Sequence, residues 1–105
     1  MKVIKFVEVK KMSKMKSPET ERLFNTILKF ESLEECRDFF EDICTIKEIQ
    51  DMSQRLEVAR MLNQNKSYAE ISKATGASTA TISRVNKCLV YGSDGYKRAL
   101  EKMED

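Results

Sequence analysis

The chain has 105 residues, 41% of them hydrophobic, which is enough for one modest core and too little for a multidomain enzyme. Nineteen Lys and Arg against seventeen Asp and Glu leave a net charge of +2, a balance that by itself argues against a polyanionic partner. The charge is nevertheless sorted along the chain, and sorting bears on partners more than the mean does: residues 1–16 hold six basic and one acidic side chain (+5), 17–63 six and eleven (−5), 64–98 six and two (+4), 99–105 one and three (−2).

Residues 1–16 stand apart as a basic N-terminal arm. Val3, Ile4, Phe6, Val7 and Val9 alternate loosely with lysines, a pattern open to a mobile arm, a short strand or a helical extension. From Ser17 the punctuation is helical, and one Pro and three Gly leave little material for hairpins. Ser17-Pro18 is an N-cap with Pro at the first helical position, and Leu23, Phe24, Ile27 and Leu28 give an apolar stripe ending near Phe30. Ser32-Leu33-Glu34-Glu35 is a capping box for a second helix with Leu33, Cys36, Phe39, Phe40 and Ile43 on one face. Thr45-Ile46-Lys47-Glu48 repeats the device and opens a helix of about 18 residues with Ile46, Ile49, Met52, Leu56, Ala59 and Leu62 on one side, roughly 27 Å long. Ser67-Tyr68-Ala69-Glu70 starts a short helix that Gly76 breaks, and Ser78 caps another carrying Ile82, Val85 and Leu89. After Gly92-Ser93-Asp94-Gly95 a last helix carries Tyr96, Leu100 and Met103. Six amphipathic helices make residues 17–105 an all-α domain.

Several functions are excluded on residue types. The sequence has no His, and its three Cys at 36, 44 and 88 form no CxxC pair, so neither a structural metal nor a cofactor is expected. Cys36 and Cys44 read as small core hydrophobes, and unpaired cysteines suit a reducing cytoplasm. No apolar run can span a bilayer, and the start lacks a secretory apolar core. No nucleophile has a paired base, no Gly-rich phosphate loop occurs, and the carboxylates fall at helix caps or on solvated faces, so the chain does not read as an enzyme.

Residues 67–89 carry the chemistry. A helix of about eight residues, a turn at Gly76 and a second helix with small residues at its start make a helix-turn-helix. Two helices crossing steeply need a small residue between them, Ser72, a residue tolerant of positive φ, Gly76, and apolar anchors, Ile71, Ile82 and Val85. Ser78, Thr79, Ala80, Thr81 and Ser83 are short enough to let a helix N-terminus enter a major groove, with hydroxyls for phosphate or base edges and methyls for thymine. Arg84 and Lys87 follow on the same helix, within reach of a guanine edge or flanking phosphates. Thr75 stands where such motifs more often place an apolar residue, and an αα-hairpin with Ser/Thr caps is the plain structural alternative. The low acid content of 64–98 favours the nucleic-acid reading.

The stretch EIQDMSQRLEVARML at 48–62, followed by GASTATISRV at 76–85, resembles the YerC/YecD family of Trp-repressor-related proteins. The likeness covers roughly residues 20–100. It implies the Trp-repressor fold, an intertwined homodimer holding two helix-turn-helix heads outward, with Thr79, Ala80 and Thr81 at base edges and Ser67, Ser78 and Ser83 at phosphates or flanks. In the Trp repressor a Gly follows the recognition-helix Arg and leaves room for the corepressor indole. Here Val85 follows Arg84 and is expected to fill that space, and Arg55, which resembles a second corepressor-binding arginine, has a surface ion pair with Asp51 or Glu48 as its simpler use. Tryptophan binding is therefore not expected.

A dimer also follows from apolar content, because Phe24, Phe39, Phe40, Ile43, Ile46, Ile49 and Met52 exceed what so short a chain covers by itself. Two-fold symmetry then sets the reading helices one DNA turn, roughly 34 Å, apart, and implies a palindromic operator in double-stranded DNA. The sequence thus reads as a DNA-binding transcriptional regulator. The reading from another class is a helical interaction module whose helix-turn-helix is only scaffold.

Overall fold

Helix starts in this protein are set by hydroxyl groups that take free backbone amides. In the computed structural model, which describes residues 15–103, Ser17 Oγ accepts from the Thr20 amide at 3.0 Å and opens α1, Pro18–Ile27. Ser32 Oγ accepts from the Glu35 amide at 3.0 Å ahead of α2, Leu33–Ile43. Thr45, Ser67 and Ser78 do the same for α3, Ile46–Asn63, α4, Tyr68–Thr75, and α5, Thr79–Tyr91. The last helix, α6, Gly95–Lys102, follows Asp94, which adopts φ +67° and makes no side-chain cap bond. The six helices and the lack of strands among the described residues give the all-α fold expected. The strand alternative for the arm falls on residues outside those described.

Three local expectations shift. Helix α1 ends at Ile27, and Leu28 to Phe30 complete a tighter turn in which the Lys29 and Phe30 amides donate to Thr26 and Ile27 carbonyls at 3.1 Å. At α2 the Glu35 carboxylate does not close a reciprocal box on Ser32; it reaches one residue further back and accepts from the Glu31 amide at 3.0 Å. In α3 the apolar stripe does not share one fate: Ile46 and Met52 stay exposed while Ala59 is fully buried, and Val58, outside that stripe, is fully buried beside it.

Two units divide the chain at Ile43 and Cys44. In the first, Phe39 packs on Phe30 at 5.2 Å between ring centroids and meets Phe40 edge-on at 5.5 Å, geometries that aromatic quadrupoles favour. Neither α1 nor α2 contains a buried residue.

The second unit holds the core. Val58 and Ala59 of α3, Ile71 of α4, Ala77 of the turn and Ile82 and Val85 of α5 are 0–2% exposed, flanked by Met61, Leu62, Leu89, Tyr96 and Leu100. Burying each large aliphatic side chain contributes about 1.5–3 kcal/mol, so this cluster fixes α4 and α5 against α3. The long helix is therefore the platform, and the helix-turn-helix stands on its C-terminal half.

Candidate nucleic-acid interface

The turn between α4 and α5 is built by Ser72, Thr75 and Gly76. Gly76 adopts φ +77°, a left-handed conformation that costs a side-chain-bearing residue about 1–2 kcal/mol, and its amide donates to the Ser72 carbonyl at 2.8 Å. Ser72 Oγ donates to the Ala77 carbonyl at 2.8 Å, so the small residue expected at the helix contact also makes a bond there. Thr75 Oγ1 donates to the Ile71 carbonyl at 2.7 Å and accepts from the Ala77 amide at 3.1 Å. A hydroxyl thus stands where an apolar residue is usual because the turn uses both of its hydrogen-bonding capacities.

Helix α5 sorts its side chains by period. Ile82, Val85 and Leu89 face the core, and Ala80, Ser83, Arg84 and Lys87, at i, i+3, i+4 and i+7, share an exposed stripe that Thr79 extends at the N-terminus. Ser78 Oγ accepts from the Thr81 amide at 3.1 Å and shares a 3.1 Å hydroxyl bond with Thr81 Oγ1. Thr81 is half-buried, unlike Thr79 and Ala80. Ser67 is exposed, but it lies apart from the stripe in the α4 capping box, where its amide donates to Glu70 Oε1 at 2.8 Å and its Oγ accepts from the Glu70 amide. The Ser67 amide, and then its hydroxyl, hold the Glu70 carboxyl below its ordinary 4.5, so a carboxylate stands beside Ser67.

A sign pattern separates α5 from the four helices before it. Each of α1 to α4 has Glu in its first turn, at 19 and 21, 34 and 35, 48, and 70, compensating the positive helix end. The first turn of α5 carries no acid, so its unpaired amides remain available to an anion. This signal was present in the sequence as a missing Glu three residues after Ser78.

Beside the stripe, α3 and α5 enclose a cavity of about 320 Å³ lined by Lys47, Asp51, Gln54, Arg55, Thr81 and Arg84. Of the two carboxylates expected beside Arg55, Asp51 pairs with Lys47 at 3.2 Å and Glu48 Oε1 accepts from the Thr45 amide at 2.8 Å. Val85 is not in the lining. Its side chain lies in the core one turn after Ile82.

Residues 19–104 match the model of the Trp repressor protein family. An uncharacterized Bacillus subtilis (strain 168) protein, YerC, is 53% identical over 94 residues, 90% of each chain. The crystal structure of a TrpR like protein from Eubacterium eligens ATCC 27750 matches with a TM-score of 0.83 and 54% identity, over 87% of this chain and 94% of that one. A crystal structure from Staphylococcus aureus also matches at 0.83, with 48% identity over 88% and 92% of the two chains. Six helices in this order, a helix-turn-helix closed at Gly76 and these likenesses place the chain in the Trp repressor family, with YerC among its relatives.

Proposed function

We propose that the protein is a sequence-specific transcriptional regulator, a repressor, that binds double-stranded DNA as a homodimer through α4, the Gly76 turn and α5. The observation that carries this is the exposed stripe of α5: small side chains at Thr79, Ala80 and Ser83, cations at Arg84 and Lys87, and a first turn without acid. Thr79, Ala80 and Thr81 lie against base edges, Ser83, Arg84 and Lys87 against phosphates or a flanking guanine, and the hydroxyls of Ser67 and Ser78 at the margins. The basic arm at 1–16 supplies further phosphate contacts to the 17–105 domain. The protein acts in the cytoplasm, and no helix among the described residues is long and apolar enough to cross a membrane.

Dimerisation is supported by apolar surface that the single chain leaves open. Leu28, Leu33 and Ile46 are 73–80% exposed, and neither α1 nor α2 buries a residue. The partner chain interlocks with these helices. Sedimentation at micromolar concentration is expected to give a dimer; a stable monomer contradicts the assembly.

The regulator works without tryptophan as corepressor. Support comes from the cavity between α3 and α5, whose lining is four charged residues, an amide and a hydroxyl, with no apolar wall for an indole. Calorimetry should show no micromolar binding of tryptophan. DNA binding itself is tested by titrating a labelled duplex pool at several salt concentrations: log affinity should fall linearly with log salt, with a slope of about −0.9 per phosphate contacted. Affinity that is absent at low salt refutes the reading.

A further inference from the structure

Side-chain hydrogen bonds in this protein mostly join residues five or fewer apart, but that of Gln54 spans 21: its Nε2 donates to the Thr75 carbonyl at 3.0 Å. Thr75 is the last residue of α4, where the final carbonyls have no partner within the helix. The bonds made by Ser72 and Thr75 are local and give the turn its shape. They do not decide where the turn sits on α3. The core contacts of Val58 and Ala59 with Ile71, Ile82 and Val85 hold the helices together, yet burial of apolar surface is non-directional and tolerates small sliding. A hydrogen bond has a preferred distance and angle, so the Gln54 amide supplies what burial lacks.

The same side chain lines the α3–α5 cavity with Thr81 and Arg84 of the reading helix, and lies nearest to where a Cβ on Gly76 would project, at 4.0 Å. It therefore stands at the point where a shift of α3 against the turn is passed to the first turns of α5. We propose that Gln54 is the positioning residue of the reading helix: its bond to the Thr75 carbonyl fixes the register of α4, the turn and α5 on α3, and through that register the discrimination between DNA sequences. This rests on the DNA-binding reading above. Gln54 itself touches no base; it acts on where Thr79, Ala80 and Arg84 are held.

Gln54→Met tests it, since Met keeps the length and neutral charge of Gln, favours a helix and removes the donor. Affinities of the full chain are measured for its selected duplex and for a scrambled duplex at one salt concentration. The ratio of the two should fall about tenfold, with scrambled-duplex affinity, salt slope and dimer content unchanged. A purely structural role lowers both affinities together, and an unchanged ratio also overturns the proposal. If the unaltered protein selects no sequence, the DNA reading fails separately, and the register is still read without DNA. Residual dipolar couplings of the free protein should show α5 reoriented relative to α3 in Gln54→Met and in Gln54→Leu. An unchanged orientation in both overturns the assignment.

Discussion

The amide of buried Ala77 donates to Thr75 Oγ1 at 3.1 Å, across the left-handed residue Gly76 that lies between them. The same hydroxyl donates to the Ile71 carbonyl at 2.7 Å, so one side chain satisfies a buried amide on one side of the turn and caps α4 on the other. Thr75→Val keeps the shape and leaves the Ala77 amide without its acceptor. The substitution should lower unfolding free energy by about 1–2 kcal/mol in urea titration, whereas Thr75→Ser should lose much less. The apolar residue common at this place in other helix-turn-helix motifs is thus expected to destabilise this one.

Gly76 makes a second prediction. A Cβ there meets nothing nearer than Gln54 Nε2 at 4.0 Å, so the penalty for Gly76→Ala comes from φ +77° and not from a clash. About 1 kcal/mol of stability should be lost, and Gly76→Asn should lose less because Asn tolerates the left-handed region. Equal losses for the two variants would show that something other than backbone conformation limits the position.

Acid should weaken the fold through two glutamates. Hydrogen bonds from Arg60, at 3.1 Å to Glu57 Oε1, hold the Glu57 carboxyl below its ordinary 4.5, and the Ser67 amide does the same for Glu70. A carboxyl whose pKa is lower in the folded than in the unfolded chain stabilises fully above the unfolded value and loses that contribution as pH falls through the folded one. Melting temperature should therefore decline as pH drops below 4.5, and the decline should be shallower in Glu57→Gln and Glu70→Gln. With no His in the sequence, no imidazole adds a step near neutrality.

Arg84 is exposed on the stripe of α5 and forms no ion pair among the described residues. Arg84→Ala should weaken binding of the selected duplex by about 1–3 kcal/mol and relax preference at one base position if it reads guanine, or reduce the salt slope by about 1 if it meets phosphate. Calorimetry or anisotropy across salt separates the two. Unchanged affinity in Arg84→Ala and Lys87→Ala together favours the interaction-module reading.

The helix starts were legible because a cap is local chemistry: a hydroxyl and a Glu three residues on are enough to place Thr45 and Ser67 at their caps. So were Ile71, Ile82 and Val85 as anchors, since a single period fixes their face. Val58 and Ala77 escaped because burial there depends on which helices meet. Ala77 lies in a turn without period, and Val58 belongs to a stripe with Gln54 and Leu62 that a polar residue interrupts. The bond from Gln54 to Thr75 joins positions 21 apart, beyond any local pattern. Val85 lies in the core, as its spacing of three from Ile82 requires.

The central claim, that α5 reads DNA from a two-fold dimer, is tested most directly by selecting bound sequences from a random duplex pool with the full chain. The account predicts an enriched palindrome whose half-sites lie about one helical turn apart, roughly 34 Å. Recovery of no enriched motif at low salt, with the protein folded and dimeric, would contradict it.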